Sequence, residues 1–285
     1  MVRDHPFNGR RVAIATLHGK ERVVGPVMKQ WFGINLESTI DVDTDALGTF
    51  TGEVARSGDM LDAARAKARL AIKETGATVG IGSEGAFGPH PSAPFLASGV
   101  EVMILVEAES DLEIVVQRRT KTNYDSLLFR PGNDLSAFLH RIGFPTHAVI
   151  VRPGTRGDST TPLKGIMDLS RLSSAIDKSS AMSDDGSVFI QTDMRAHMNP
   201  TRMKSLGFVA RLLALRMARL CPSCSAPGFA LSDVLRGVPC EQCGAPTRRI
   251  RAEIHNCSKC GLQQVRHMRP ETMRAAALWC DICNP

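Results

Sequence analysis

Aromatic residues are scarce in this chain of 285 residues, which has one Tyr and two Trp. That leaves little for stacking on exposed nucleobases. No run approaches the roughly 20 apolar residues needed to span a bilayer. The longest apolar stretch, LGFVARLLALRMARL at 206–220, is broken by arginines at helical spacing. The opening segment MVRDHPFNGRR has no apolar core of the kind a secretory signal needs. No cysteine precedes Cys221. These absences predict a cytoplasmic protein with no membrane partner, whose thiols are kept reduced.

All eight cysteines fall within 221–285, as the pairs Cys221/Cys224, Cys240/Cys243, Cys257/Cys260 and Cys280/Cys283. A two-residue gap lets two thiolates from one tight turn bind a single metal, and two such turns complete a four-sulfur site. The intervals between pairs are 225–239, 244–256 and 261–279. The first and last have the length of a four-cysteine zinc site, so the expected pairing is Cys221/Cys224 with Cys240/Cys243 and Cys257/Cys260 with Cys280/Cys283. The shorter middle interval also allows the two inner pairs to share a metal. A thioredoxin-like redox motif explains one Cys-x-x-Cys pair but not four in tandem, and iron–sulfur ligation generally uses other spacings. The expected cofactors are therefore two structural Zn2+ ions in closed sites, which stabilise a fold and leave no position open for substrate.

The net charge of +6 invites a nucleic-acid reading. The segment 200–285 carries 13 Lys/Arg and 5 Asp/Glu, while 1–199 carries 22 and 24. A zinc ion bound by four thiolates has net charge −2, so two sites absorb about half of the tail's excess. Arg248, Arg249 and Arg251 form a local basic cluster, and nucleic acid stays open as a partner on that basis alone.

Helices and strands alternate from the N-terminus to about position 190, which predicts an α/β fold: a layered mixed-sheet domain at 1–199, with a small double zinc-ribbon module at 221–285. RRVAIAT (10–16) reads as a buried strand, followed by a helix to about residue 32, a strand at 35–42 and a long polar loop at 43–57. GDMLDAARAKARLAIKETG (58–76) reads as a helix with Met60, Ala64, Ala68 and Ala71 on one stripe and Gly76 as its stop. TVGIGSEG (78–85) is a short strand entering a Gly/Pro loop, AFGPHPSAP, and 101–107 and 112–119 are further strands. Beyond them lie a strand at 146–153, a polar loop at 154–163, a helix at 169–178 and a strand starting at 187. Asn199 and Pro200 then open a helix, to about Leu220, that connects the domain to the cysteines.

Four loop regions carry candidate chemistry, as expected beyond the carboxyl ends of strands in an α/β sheet. Thr16, His18 and Lys20 precede a helix, where free amides, a hydroxyl and an ammonium make an anion site. The glycines of a GxxxxGK[ST] phosphate loop are missing, and a plain strand–helix turn fits equally. Asp41, Asp43 and Asp45 alternate at a strand end and Glu53 follows. Alternate carboxylates can hold a hard cation or form a solvated acidic edge. Ser83 and Glu84, followed by His90, sit among glycines that let a ligand approach the backbone. This gives a magnesium or substrate site, against the alternative that the glycines serve only a turn. Asp193, Arg195 and His197 form either a binding constellation or an Asp–Arg pair that holds the helix entry. His147 reads as a satisfied core or rim histidine.

The motifs ATLHGKE, DTDALGTFTGEV, GSEGAFGPHP, TNYD, FPTHAVI, TDMRAHMNPTRM and the CPxC…PCxxCGxPT tail together resemble a bacterial family known only as a domain of unknown function. Residues 11–117 also resemble the first half of the inosine/xanthosine triphosphate pyrophosphatases. That second resemblance implies that Thr16 and Lys20 hold phosphate, that 58–75 is the small-residue helix and that Glu84 lies near Mg2+. Lys20 follows Thr16 by four residues where that family has five, and His18 stands near the place of its asparagine.

Two functions follow as expectations. One is a metal-dependent phosphoanhydride hydrolase acting on a phosphorylated or nucleotide-like small molecule, with Lys20, Glu84, Asp45 and Glu53 catalytic and Thr16, His18, Ser83, His90 and Arg195 binding substrate. The other is a zinc-ribbon adaptor for nucleic acid or protein, without catalysis.

Overall fold

The computed structural model describes residues 5–39, 58–110, 112–154, 161–269 and 273–285. Asp41, Asp43, Asp45 and Glu53 lie outside the described residues. Among the described residues the fold is mixed α/β with three separate sheets.

The first sheet has the order β2-β1-β3-β4-β5. It is built from β1 (Val12–Ala15), β2 (Leu36–Thr39), β3 (Val79–His90), β4 (Ala93–Glu107) and β5 (Glu113–Lys121). Strand β1 runs parallel to both its neighbours, whereas β3, β4 and β5 form an antiparallel meander. Helix α1 (Glu21–Phe32) and helix α5 (Pro200–Met217) cover one face and share its core with Ile14, Ile81, Met103 and Leu105. Helix α2 (Met60–Thr75) covers the other face, against Val102 and Ile104.

Local chemistry sets these helices. Asp59 and Asp62 form a reciprocal capping box at the start of α2, and Gly76 ends it in the left-handed conformation. Asn199 caps α5 by accepting the Arg202 N–H, with Pro200 in the first turn. In α5, Leu206, Val209, Ala210, Leu213, Ala214 and Met217 recur at helical spacing and are all buried. Helix α5 is thus part of the principal core as well as the approach to the cysteines.

The alanines of α2 have a specific use. A Cβ on Gly80 or Gly82 of β3 would overlap the carbonyl oxygens of Ala68 and Ala64. Helix and strand meet backbone to backbone, which only glycine on one side and alanine on the other permit.

The second sheet, β6-β9-β7-β8, joins β6 (Ser126–Phe129), β7 (Val149–Pro153), β8 (Leu163–Ile166) and β9 (Val188–Thr192). Phe138 and Ile142 of α3 (Ser136–Ile142) and Leu172 and Ala175 of α4 (Leu169–Ala181) fill its core. The third sheet is the meander β10 (Ala230–Arg236), β11 (Ile250–Asn256) and β12 (Gln263–His267).

One segment departs from its expected form. AFGPHPSAP is not a loop: β3 continues to His90 and pairs residue by residue with β4, whose first residue is Ala93. The glycines and prolines fit because the ladder is irregular there, with a register shift between Pro89 and His90.

Candidate functional site

Strand β1 stops at Ala15 while its neighbour β3 runs on to His90. A crevice therefore opens beyond the carboxyl end of β1, where α/β sheets place ligands. The turn that follows is organised by Thr16, whose Oγ1 accepts the N–H groups of His18 at 3.1 Å and Lys20 at 3.4 Å. Thr16 thus spends its acceptor capacity on shaping the turn. Among the described residues, the amides of Gly19 and Glu21 have no acceptor. Lys20 is buried, and its Nζ donates to both the carbonyl oxygen and the Oγ of Ser83, each at 3.0 Å.

Side-chain alternation along β3 sends Gly82 and Glu84 toward α2 and Ser83 toward α1 and α5. Because α2 lies so close, Lys67 reaches the Glu84 carboxylate at 2.5 Å, with both groups buried. On the other face, Glu101 of β4 lies opposite Gly85 in register, is fully buried and meets Arg202 of α5 at 2.8 Å. Arg202 also donates to the Met194 carbonyl and lies over the Phe87 ring at 4.9 Å. Gly85 leaves room for this pair, since a Cβ there would stand 2.6 Å from Arg202 Nη2.

The entrance side holds His18 and His197, stacked with centroids 5.0 Å apart, and Arg195, which is paired with the buried Asp193 at 2.6 Å. Asp193 also accepts the N–H groups of Gly165 and Arg195. Asp193 and Arg195 are thus paired with each other.

Among the described residues, charge in this cluster is unbalanced. Glu84, Glu101 and Asp193 are each engaged by a cation, namely Lys67, Arg202 and Arg195. Lys20 has no carboxylate within ion-pair distance among the described residues. Burial, reinforced by the Arg202 and Lys67 charges, pulls Lys20 down to about 7. Burial and then the Lys20 charge pull His18 down to about 3, so its ring is neutral near neutral pH. A buried cluster with surplus cationic capacity suits an anion.

Of the expected residues, Thr16, His18, Lys20, Ser83, Glu84 and Arg195 come together here. His90 does not: it lies at the hairpin turn, where its Nδ1 accepts the Ser92 N–H. The strand between Ser83 and His90 spans on the order of 20 Å at the usual rise. The Glu84 carboxylate, expected beside a metal ion, is paired with the Lys67 ammonium. Lys67, Glu101 and Arg202 were missed. Two of them left a signal, since Lys67 falls on the buried stripe of α2 and Glu101 shares the inward period of Met103 and Leu105. His147 is a satisfied histidine, bonded to Thr201 Oγ1 at 2.9 Å and the Gly143 carbonyl at 3.2 Å.

The cysteines form two tetrads: Cys221, Cys224, Cys257 and Cys260, and Cys240, Cys243, Cys280 and Cys283. Within each, the ligand atoms lie within 4.8 Å of one another, and close Sγ pairs stand 3.6 to 4.0 Å apart. Thiolates on a tetrahedral zinc, with bonds of about 2.3 Å, are about 3.8 Å apart. The residues fit two four-thiolate metal sites.

The pairing corrects the expectation from spacing, since first joins third and second joins fourth. The meander is the reason. Strand β10, Ala230–Arg236, carries the chain about 23 Å from one site to the other. Strand β11 brings it back, and β12 returns it again. The intervals 225–239 and 261–279 are traversed rather than closed into local loops.

Three of the turns share one form, with the residue after the second cysteine in the left-handed region: Ser225, Gly244 and Gly261, at φ 57°, 74° and 72°. Each donates its N–H back to the first cysteine's carbonyl. Ser225 is the one residue other than glycine with positive φ among the described residues. Ser225→Gly is expected to stabilise the first turn by about 0.5–1 kcal/mol, read as a raised denaturation midpoint. A lowered midpoint would mean that the serine side chain contributes more than its backbone strain costs. The first turn also rests on the body of the protein, with Phe229 buried beside Cys221 and Cys257 and Gly228 seated against Ile114 of β5.

A mixed α/β body carrying two four-cysteine clusters that fit metal ions defines a class of architecture rather than an activity. The chain belongs to the family described as Domain of unknown function (DUF6671), whose profile matches residues 67–285. No curated protein and no solved structure matches the chain. No helix among the described residues is long and apolar enough to cross a membrane.

Proposed function

We propose that the crevice beyond β1 binds a phosphorylated or nucleotide-type small molecule and hydrolyses a phosphoanhydride in it, and that the two thiolate sites hold structural zinc. The observation that carries the reading is the buried Lys20, which lacks a carboxylate partner among the described residues while each neighbouring acid has its own cation. An incoming phosphate restores that balance, taking up the surplus cationic capacity of the cluster. Arg195 and the His18 ring line the approach. Mg2+ enters the proposal as the ion that accompanies a nucleotide phosphate. Glu84 holds Lys67, and Lys67 in turn adds positive potential to the site. Asp45 and Glu53 keep their expected role as carboxylates for the cation.

A panel of nucleoside triphosphates with Mg2+, assayed for phosphate and pyrophosphate release, tests this. Turnover is expected, with Lys20→Ala lowering kcat/KM by roughly 100-fold or more. Turnover that Lys20→Ala leaves unchanged would overturn the reading, as would no release from any member of the panel. The adaptor reading draws on the exposed edge strand β12 and on Arg248, Arg249 and Arg251. The buried polar cluster favours the enzyme, because an adaptor has no use for it.

A further inference from the structure

The geometry points to Ser83 and Lys20 as a nucleophile–base dyad that takes up the phosphoryl group covalently, an inference that rests on the function proposed above. Ser83 Oγ lies 3.0 Å from Lys20 Nζ, and both side chains are buried. Among the described residues, the Ser83 hydroxyl has no other hydrogen-bonding partner; Nζ donates to its Oγ, and once neutral the same amine can take its proton. The second bond from Nζ, to the Ser83 carbonyl at 3.0 Å, fixes the amine against this one residue.

The groups that face Lys20 come from every element around it. They are His18 on its own turn, Glu84 on β3, Lys67 on α2, Glu101 on β4 and Arg202 on α5. Both acids are occupied by Lys67 and Arg202. The amine is therefore surrounded by cations and low-dielectric packing, which favour its neutral form and bring it to about 7. A lysine whose task was only to bind phosphate would gain from a carboxylate neighbour that keeps it charged. Here burial and the Arg202 and Lys67 charges outweigh the carboxylates of Glu84 and Glu101.

The step balances. The Ser83 proton moves to Lys20 Nζ, the Oγ–P bond forms and the bridging P–O bond breaks. The ammonium returns the proton to the leaving phosphate oxygen. Water then attacks the phosphoserine, releasing inorganic phosphate and restoring the hydroxyl. While protonated, Lys20 lies beside the transferred oxygens, and Arg202 and Lys67 add to the potential there.

Diisopropyl fluorophosphate tests the dyad without needing the substrate. Ser83 Oγ displaces fluoride, the Oγ–P bond replaces P–F, and Lys20 takes the proton. Peptide mass mapping is expected to place the adduct on Ser83, with a rate that rises with pH and levels off above about 7, as Lys20 becomes neutral. Ser83→Ala abolishes the adduct. Lys20→Arg keeps a buried cation that can still donate to Ser83 but cannot act as a base, and it slows labelling by about 100-fold or more. No adduct on Ser83 in the metal-loaded protein overturns the dyad, as does labelling that Lys20→Arg leaves unchanged. Nucleotide turnover that survives Ser83→Ala also overturns it while leaving the proposed function standing. A pH-dependent Ser83 adduct in a protein that turns over no nucleotide supports the dyad and removes that substrate class.

Discussion

Stripping both thiolate sites with a strong chelator is expected to unfold residues 221–285 while the two N-terminal sheets persist. The third sheet has little else to hold it. Every residue of β12 is exposed, and the buried cluster beside the first site consists of Cys221, Ala226, Phe229 and Cys257. A structural four-thiolate zinc contributes about 10 kcal/mol or more of apparent binding energy at neutral pH. That exceeds what so small an apolar cluster supplies.

The thiols by themselves resist full ionisation. Hydrogen bonds from the Cys283 and Ile282 amides draw Cys280 down to about 7, while the neighbouring sulfur of Cys243 and burial push Cys283 up to about 12. A divalent cation removes that penalty, so metal is bound at neutral pH and released as protons compete on acidification. Hydrogen exchange followed by mass spectrometry reads the outcome. Cys257→Ser sharpens the experiment, because it should loosen residues 221–229 together with 257–262 and spare 240–249. Loosening of 280–283 in place of 221–229 would restore the pairing of adjacent turns.

Gly82→Val should cost about 4 kcal/mol or more, far above an ordinary surface change. The new Cβ would overlap the Ala64 carbonyl and approach the Ala68 nitrogen to 2.8 Å, and helix backbone cannot rotate away as a side chain can. The whole of α2 must shift, carrying Lys67 off Glu84. Gly88→Ala is the matched control: it sits on the same strand with nothing within 4 Å of the new Cβ, and its effect should stay within about 0.5 kcal/mol. Urea midpoints of the two variants measure the difference. Equal midpoints would mean that strand and helix are not in backbone contact.

The same contact shows what was legible in the sequence. The Ala-rich stripe of α2 and its caps were readable, because helix periodicity and capping are local properties. The close approach was not, because it depends on glycines in a strand that the pattern alone does not align with a helix. Strands β6 and β8 and helix α3 went unassigned because they are short, and β6 pairs with a strand distant in sequence. Ser126, for example, pairs with Gln191. In the site, Thr16, His18, Lys20, Ser83 and Glu84 were readable as strand-end residues. Arg202 was not, since it meets Glu101 across 101 positions of chain. The cysteine tetrads were legible as ligands but not as partners. Spacing describes how far a loop can close and says nothing of a strand that crosses from one site to the other.

That crossing has a consequence for the order in which the protein is made. With adjacent turns paired, a chain emerging from the ribosome could close its first metal site once Cys243 was out. With the turns interleaved, a nascent chain stopped anywhere before Cys260 holds open thiol pairs and no finished site. The second site must then wait for Cys283, so metal capture belongs to the last stage of synthesis.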